Sequence, residues 1–175
     1  MTTPAELVKM GETGKRDFAA GRYAEAAEAF RVAANGYSKF GDSLNEAEQR
    51  NNLSVALLKL QRPQEALDQV EGTDGVFAAA GDIKRQGMSL NNRAAALQDL
   101  NRLDEALSSY ERSATLLGDA GEGELRGVAL KAAAALQLRR GRLRDSALNM
   151  LGALGSGQKP NFLERGLRSL LRRLP

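Results

Sequence analysis

Two asparagine pairs, Asn51-Asn52 and Asn91-Asn92, stand 40 residues apart in segments that otherwise read as helix interior. A carboxamide both donates and accepts hydrogen bonds and carries no charge. Asparagine is also a poor residue for the middle of a helix. Four of them so placed need a compensating reason: either they hold a polar ligand, or they are an ordinary polar face. Other reactive chemistry is missing. The 175 residues include no histidine and no cysteine. That removes the commonest general base, thiolate and imidazole metal ligands, and any disulfide framework. Glycines recur at helix ends, at Gly21, Gly41, Gly81, Gly121 and Gly141, and form no phosphate-cradling loop. The residues therefore point to binding, with no catalysis, metal or cofactor expected.

The elements that would carry these asparagines repeat. Gly21-Arg22-Tyr23-Ala24-Glu25-Ala26 returns as Gln61-Arg62-Pro63-Gln64-Glu65-Ala66, as Asn101-Arg102-Leu103-Asp104-Glu105-Ala106 and as Gly141-Arg142-Leu143-Arg144-Asp145-Ser146, each 40 residues after the last. A fixed interval of this length marks a solenoid. A second punctuation, Gly41-Asp42, Gly81-Asp82 and Gly121-Glu122, keeps the same interval, so each unit holds two helices with a stop after each. Thr3-Pro4-Ala5-Glu6 reads as a capping box that opens the first helix. Helices of about 17 residues, about 25 Å long, joined by loops of two to four residues, must pack antiparallel. Small residues recur where axes would cross: Gly14, Ser54, Ala94 and Ala134 in the first helices, and Ala26, Ala66, Ala106 and Ser146 in the second. Leu53, Leu57, Leu60, Leu97, Leu100, Phe30, Val70, Tyr110 and Met150 fill the space around them. The arginines at 22, 62, 102 and 142 fall in turns, where they are expected to satisfy last-turn carbonyls and neighbouring carboxylates.

This pattern resembles the tetratricopeptide repeat. Gly14, Gly21, Tyr23, Ala26 and Phe30 match that family's motif in the first unit, and Ala94, Leu103, Ala106 and Tyr110 in the third. The second unit departs with Gln61, Pro63 and Val70. The fourth is weaker, with Ser146 and a second helix expected to stop before Gly155. The 40-residue period resembles the long-helix variants of kinesin light chains, spindle-orientation adaptors and bacterial peptide-sensing regulators. The resemblance implies an all-α, right-handed solenoid of four repeats, about 4–41, 42–81, 82–121 and 122–155. It also implies an extended peptide held along a concave face lined by the first helices. The family's groove positions fall on Lys15, Asn51, Asn52, Lys59, Asn91, Asn92, Gln98, Lys131 and Arg139, with Phe18, Val55, Met88, Ala95 and Ala135 among them. Asn52-Leu53-Ser54 and Asn92-Arg93-Ala94 resemble the step whose asparagine grips a peptide backbone in such proteins. The matching slots hold Glu12 and Ala132, leaving two rungs. Lys15, Arg50, Lys59, Arg93, Lys131 and Arg139 on or beside the stripe favour an acidic or C-terminal peptide, with Glu12, Glu48 and Asp99 expected to interrupt the positive field. No helix-turn-helix segment precedes the repeats, so a DNA-binding regulator is not expected.

The formal net charge of +3 conceals a polarity. From Arg126 onward there are 11 Lys and Arg against Asp145 and Glu164, a net of +9, while the first 125 residues carry 14 basic and 20 acidic residues, a net of −6. Residues 111–161 lack any aromatic side chain, so base stacking has little to work with and nucleic acid is not an expected partner. The opposed ends could instead pair copies of the chain, as a homodimer or a head-to-tail assembly. Residues 161–174 are expected to form a capping helix with Phe162, Leu163, Leu167, Leu170, Leu171 and Leu174 on one face and Arg165, Arg168, Arg172 and Arg173 elsewhere. Such a helix closes the apolar end of a solenoid; the alternatives are contact with an anionic membrane or with a second copy. Met1-Thr2-Thr3-Pro4 leads into no apolar run, so no signal peptide is expected and the cytoplasm is the default. The leading expectation is an interaction scaffold that binds another protein or peptide.

Overall fold

The computed structural model describes residues 3–154 and 162–172. Ten helices run through the described residues: α1 (Pro4–Ala19), α2 (Tyr23–Phe40), α3 (Ser43–Lys59), α4 (Pro63–Val70), α5 (Thr73–Ala79), α6 (Ile83–Asp99), α7 (Leu103–Asp119), α8 (Gly123–Arg139), α9 (Leu143–Leu154) and α10 (Phe162–Leu171). Consecutive helices pack on one another, save that α4 and α5 lie chiefly against α3 and α6 instead of each other, and α3 also meets α6. The chain is an all-α solenoid of antiparallel pairs. Its core runs as one seam of buried residues from Ala26 and Phe30 to Leu130 and Leu136.

Local chemistry sets the ends of these helices. Thr3 and Glu6 form the expected capping box, Thr3 Oγ1 accepting from Glu6 N and Glu6 Oε2 from Thr3 N. Asp42 and Asp82 cap α3 and α6 by accepting from the backbone N–H of Asn45 and Arg85, whereas Glu122 makes no such bond to α8. The turns inside the pairs pivot on Gly21, Gln61, Asn101 and Gly141 at φ of 76°, 59°, 59° and 73°. At Gln61 and Asn101 this left-handed geometry is held without glycine, at a cost of roughly 1 kcal/mol.

The turn arginines meet last-turn carbonyls and, at three of the four turns, neighbouring carboxylates, as expected, with the carbonyls taken by backbone and not by the guanidinium. Their own backbone N–H groups close the last-turn carbonyls: Arg22 to Asp17 O, Arg62 to Leu57 O, Arg102 to Leu97 O and Arg142 to Gln137 O, at 2.8–3.0 Å. This six-to-one closure leaves the guanidinium free to turn outward. Arg22 then pairs with Asp17, Arg62 with Glu65 and Arg102 with Glu105.

The crossing positions are buried. Ser54, Ala94, Ala26, Ala66 and Ala106 are 0% exposed, Ala134 1% and Ser146 8%. A Cβ on Gly14 would sit 2.6 Å from the Phe30 ring, so glycine there lets α1 close on α2. Phe30, Leu53, Leu57, Val70, Leu97 and Tyr110 fill the seam, with Leu60 and Leu100 at its edge. Burial pushes the Tyr110 phenol up to about 12.

The second pair departs from the expected helix length. Its outer helix is two pieces, α4 of 8 residues and α5 of 7. Glu71 is extended (φ −59°, ψ 126°) and Gly72 left-handed (φ 80°, ψ −9°). Thr73 Oγ1 donates to Val70 O at 2.8 Å and shares a 2.5 Å bond with Ser89 Oγ. Arg50 Nη2 donates to the carbonyls of Asp68 (3.1 Å) and Glu71 (3.3 Å), which the break leaves without helical partners. At the far end α9 is described as far as Leu154 and α10 packs on it; the expected stop before Gly155 lies at residues outside those described. Leu167 and Leu171 are half-buried, and Glu164 is buried and accepts from Arg168 Nη2 at 3.1 Å. Arg173 and Leu174 lie outside the described residues, and Phe162, Leu163 and Leu170 are described in backbone only.

Candidate functional site

The inner wall is built by α1, α3, α6 and α8. Because the pairs repeat at a fixed interval, residues 40 apart on these helices become neighbours across the wall. Asn92 Nδ2 donates to Asn51 Oδ1 at 2.9 Å, a contact that bridges α6 to α3. Asn51 is only 6% exposed, so this bond supplies a partner that water could not easily reach. The other two asparagines are left differently. Asn52 Nδ2 and Asn91 Oδ1 are each buried without a hydrogen-bond partner among the described residues. An unpaired buried amide atom costs about 1–3 kcal/mol. Asn52 and Asn91 thus each carry one enclosed, unpaired amide atom at mid-wall.

Beside Asn91 and Asn92 lies a cleft of about 100 Å³, completed by Met88, Leu117, Leu125 and Val128. Met88 and Val128 occupy matching positions of successive first helices, and Val128 is 54% exposed. Leu125 and Val128 were not singled out by sequence reasoning. The available signal was the column Val8, Glu48, Met88 and Val128, apolar at three of its four places.

The expected positive field is unevenly realised. Lys15 is tied to Glu12 (3.1 Å) and Glu48 (3.5 Å), and the Glu12 hydrogen bond holds its ammonium above the usual lysine range. Glu48 also receives Arg85 (3.1 Å), which reaches Asp82 at 2.6 Å. This network joins α1, α3 and α6 and cancels the charge at that end. Arg50 is spent on the broken outer helix, and Arg93 donates to Ser109 Oγ (2.9 Å) and Glu71 (3.3 Å). Both had been expected on or beside the stripe; their long stems reach the outer layer instead. Lys59, Lys131 and Arg139 are exposed, Gln98 is half-buried, and the three cations have no carboxylate within ion-pair distance among the described residues. The structure therefore joins Asn51 to Asn92 and sets Asn91 and Asn92 at the apolar cleft, with Asn52 next to Asn51 on α3 and outside the cleft's lining. Lys131 and Arg139 stand on α8 beyond it, and Lys15 is removed by its acidic partners.

No family model matches the chain, and no curated protein matches it. Solved structures do. The kinesin light chain nearly identical TPR-like repeats of Podosopora anserina superpose with a TM-score of 0.75 at 17% identity, covering 99% of this chain and 87% of that one. A singly substituted form of the same repeats gives 0.75 at 16% identity, covering 99% and 86%. At such identities the likeness is one of fold, and it spans nearly the whole chain. This protein therefore has the fold of a tetratricopeptide-like repeat array, similar to the kinesin light chain repeats.

Proposed function

We propose that the protein is an interaction scaffold that holds an extended segment of another protein along its inner wall. Asn52 and Asn91 offer a donor and an acceptor to the segment's backbone, independent of its side chains. The cleft of Met88, Leu125 and Val128 receives an apolar side chain, and Lys131 and Arg139 favour acidic residues or a terminal carboxylate beyond it. The observation that supports this reading most is the unpaired Asn91 Oδ1 beside an exposed Val128. Both unpaired atoms are enclosed in the free protein, so the amides must rotate toward the groove to meet a segment's backbone, and the cost of leaving them unpaired favours that rotation.

The two kinds of asparagine separate stability from binding. Asn52→Ala with Asn91→Ala is expected to leave the thermal melt unchanged or raise it, because unpaired polar atoms are removed. Asn92→Ala is expected to cost about 1–3 kcal/mol by orphaning Asn51. Affinity capture from the native cell, quantified for wild type and the Asn52→Ala/Asn91→Ala protein, tests the reading. A partner that wild type enriches should fall at least tenfold on the double variant. Equal recovery by both proteins removes the inner wall as the binding surface.

A further inference from the structure

The four turns that join the helices within each pair occupy equivalent repeat positions, and the last is unlike the others. Formal charge is 0 over residues 16–25, +1 over 56–65, −2 over 96–105 and +3 over 136–145. The first three turn arginines are paired with Asp17, Glu65 and Glu105. In the fourth turn Arg140 reaches back to Asp104, and Arg142 acts on the same carboxylate at longer range. No carboxylate of the described residues lies within ion-pair distance of Arg139 or Arg142.

Apolar exposure follows the same division. Leu138 is 55% and Leu143 46% exposed, whereas none of the other three turns exposes a large apolar side chain. Phe18, Leu58 and Gln98, in the slot of Leu138, are half-buried, as are Tyr23, Pro63 and Leu103 in the slot of Leu143. Every residue from 138 to 145 is exposed, giving two leucines interleaved with arginines on a tight two-residue turn at Gly141.

We infer that this turn docks on an anionic lipid bilayer, with Leu138 and Leu143 entering the headgroup layer and Arg139 and Arg142 meeting phosphates. Charge selects the occupant's sign, and shape selects its class. Every residue of the turn from 138 to 145 is exposed, so a rigid partner would need a socket that fits it, whereas a fluid bilayer conforms to it. The absence of aromatics from residues 111–161 leaves bases nothing to stack on. An apolar insertion combined with a basic patch also supplies the two signals that stable surface binding needs. Each arginine near such a surface raises partitioning about fivefold. Arg139 is shared with the inner-wall reading, but Leu138, Arg142 and Leu143 lie outside the expected groove stripe, and the turn variant that tests the inference leaves Arg139 in place.

The test is co-sedimentation of the full chain with phosphatidylcholine vesicles and with vesicles of phosphatidylcholine and phosphatidylglycerol at 3:1. Binding is expected only to the anionic vesicles, and 300 mM salt should weaken it. Arg142→Gln with Leu143→Ser should lower partitioning at least tenfold with an unchanged thermal melt; should the pair unfold, Arg142→Gln alone should lower it about fivefold. Arg165→Gln with Arg168→Gln, on α10, should leave most of the binding in place. Failure to bind anionic vesicles, or equal binding by the turn variant, overturns the inference. So does loss confined to the α10 variant, a single-stranded RNA 30-mer that competes the protein off the vesicles, or a gel-filtration dimer that the turn variant dissolves.

Discussion

The outer helices of the second and third pairs occupy the same register and solve it differently. Helix α7 runs unbroken for 17 residues, while the equivalent stretch breaks at Glu71-Gly72 into α4 and α5. Yet Phe77 ends up as deeply buried as its counterpart Leu117, at 0% and 1% exposure. Sockets on the first helices therefore hold the register, not continuity of the outer helix. Position 50 shows how the break is accommodated. Leu90 and Leu130 are buried at that slot in the next two units, whereas Arg50 fills it with an aliphatic stem and caps the freed carbonyls with its head.

The largest effect that can break this equivalence is loss of the anchor. Phe77→Ala should cost about 3–5 kcal/mol and Leu117→Ala about 2–5. In hydrogen exchange the first should release α5 alone, the second α7 as a whole. If Phe77→Ala left α5 protected, the socket account would fail. Arg50→Leu restores the neighbours' residue type and should still destabilise, by about 1–2 kcal/mol in urea melts, because two carbonyls lose their donor. A more stable Arg50→Leu protein would show that the break needs no cap.

A reciprocal exchange sharpens the comparison. Gly72→Arg places the residue found at position 112 into a left-handed site and should cost about 1 kcal/mol. Arg112→Gly should cost a similar amount by weakening a continuous helix. Equal tolerance of glycine at both sites would mean that Gly72 is not what sets the break. The smallest effect is at the cap between the two pairs. The Arg85 backbone N–H, together with its guanidinium, holds the Asp82 carboxyl below its usual range. A depressed carboxyl stabilises the folded state above its unfolded pKa, and that stability is lost as pH falls through the folded value. Asp82→Ala should therefore cost about 1 kcal/mol at pH 7, and the difference from wild type should close below about pH 4. Glu122→Ala, at a start with no cap bond, should stay within a few tenths at both pH values.

Much of the solenoid was legible in the sequence because its period is carried by residues with one physical job each: left-handed pivots, cap acids and small crossing residues. The break in the second pair was equally visible in Glu71-Gly72-Thr73-Asp74-Gly75, but the strong repeat argued for an unbroken helix and local turn chemistry won. The inner wall was legible as a stripe and illegible as contacts. Asn51 and Asn92 meet diagonally, between columns one residue apart, which a column-by-column comparison does not reveal. The destinations of Arg50 and Arg93 depended on carbonyls and a hydroxyl exposed by tertiary packing, whereas the pairing of Lys15 with Glu12 and Glu48 follows from carboxylates already expected to interrupt the field. Charge read along a sequence overstates a field whenever long side chains can reach a second layer.

The central claim is that the inner wall, not the outer, receives a partner. A photo-crosslinking amino acid at Val128 on the inner wall, compared with one at exposed Ser108 on the outer helix α7, tests it in native cell extract. The account predicts a discrete adduct from position 128 that the Asn52→Ala/Asn91→Ala background abolishes, and none from position 108. Adducts from 108 alone, or adducts at 128 that survive the asparagine substitutions, would contradict it.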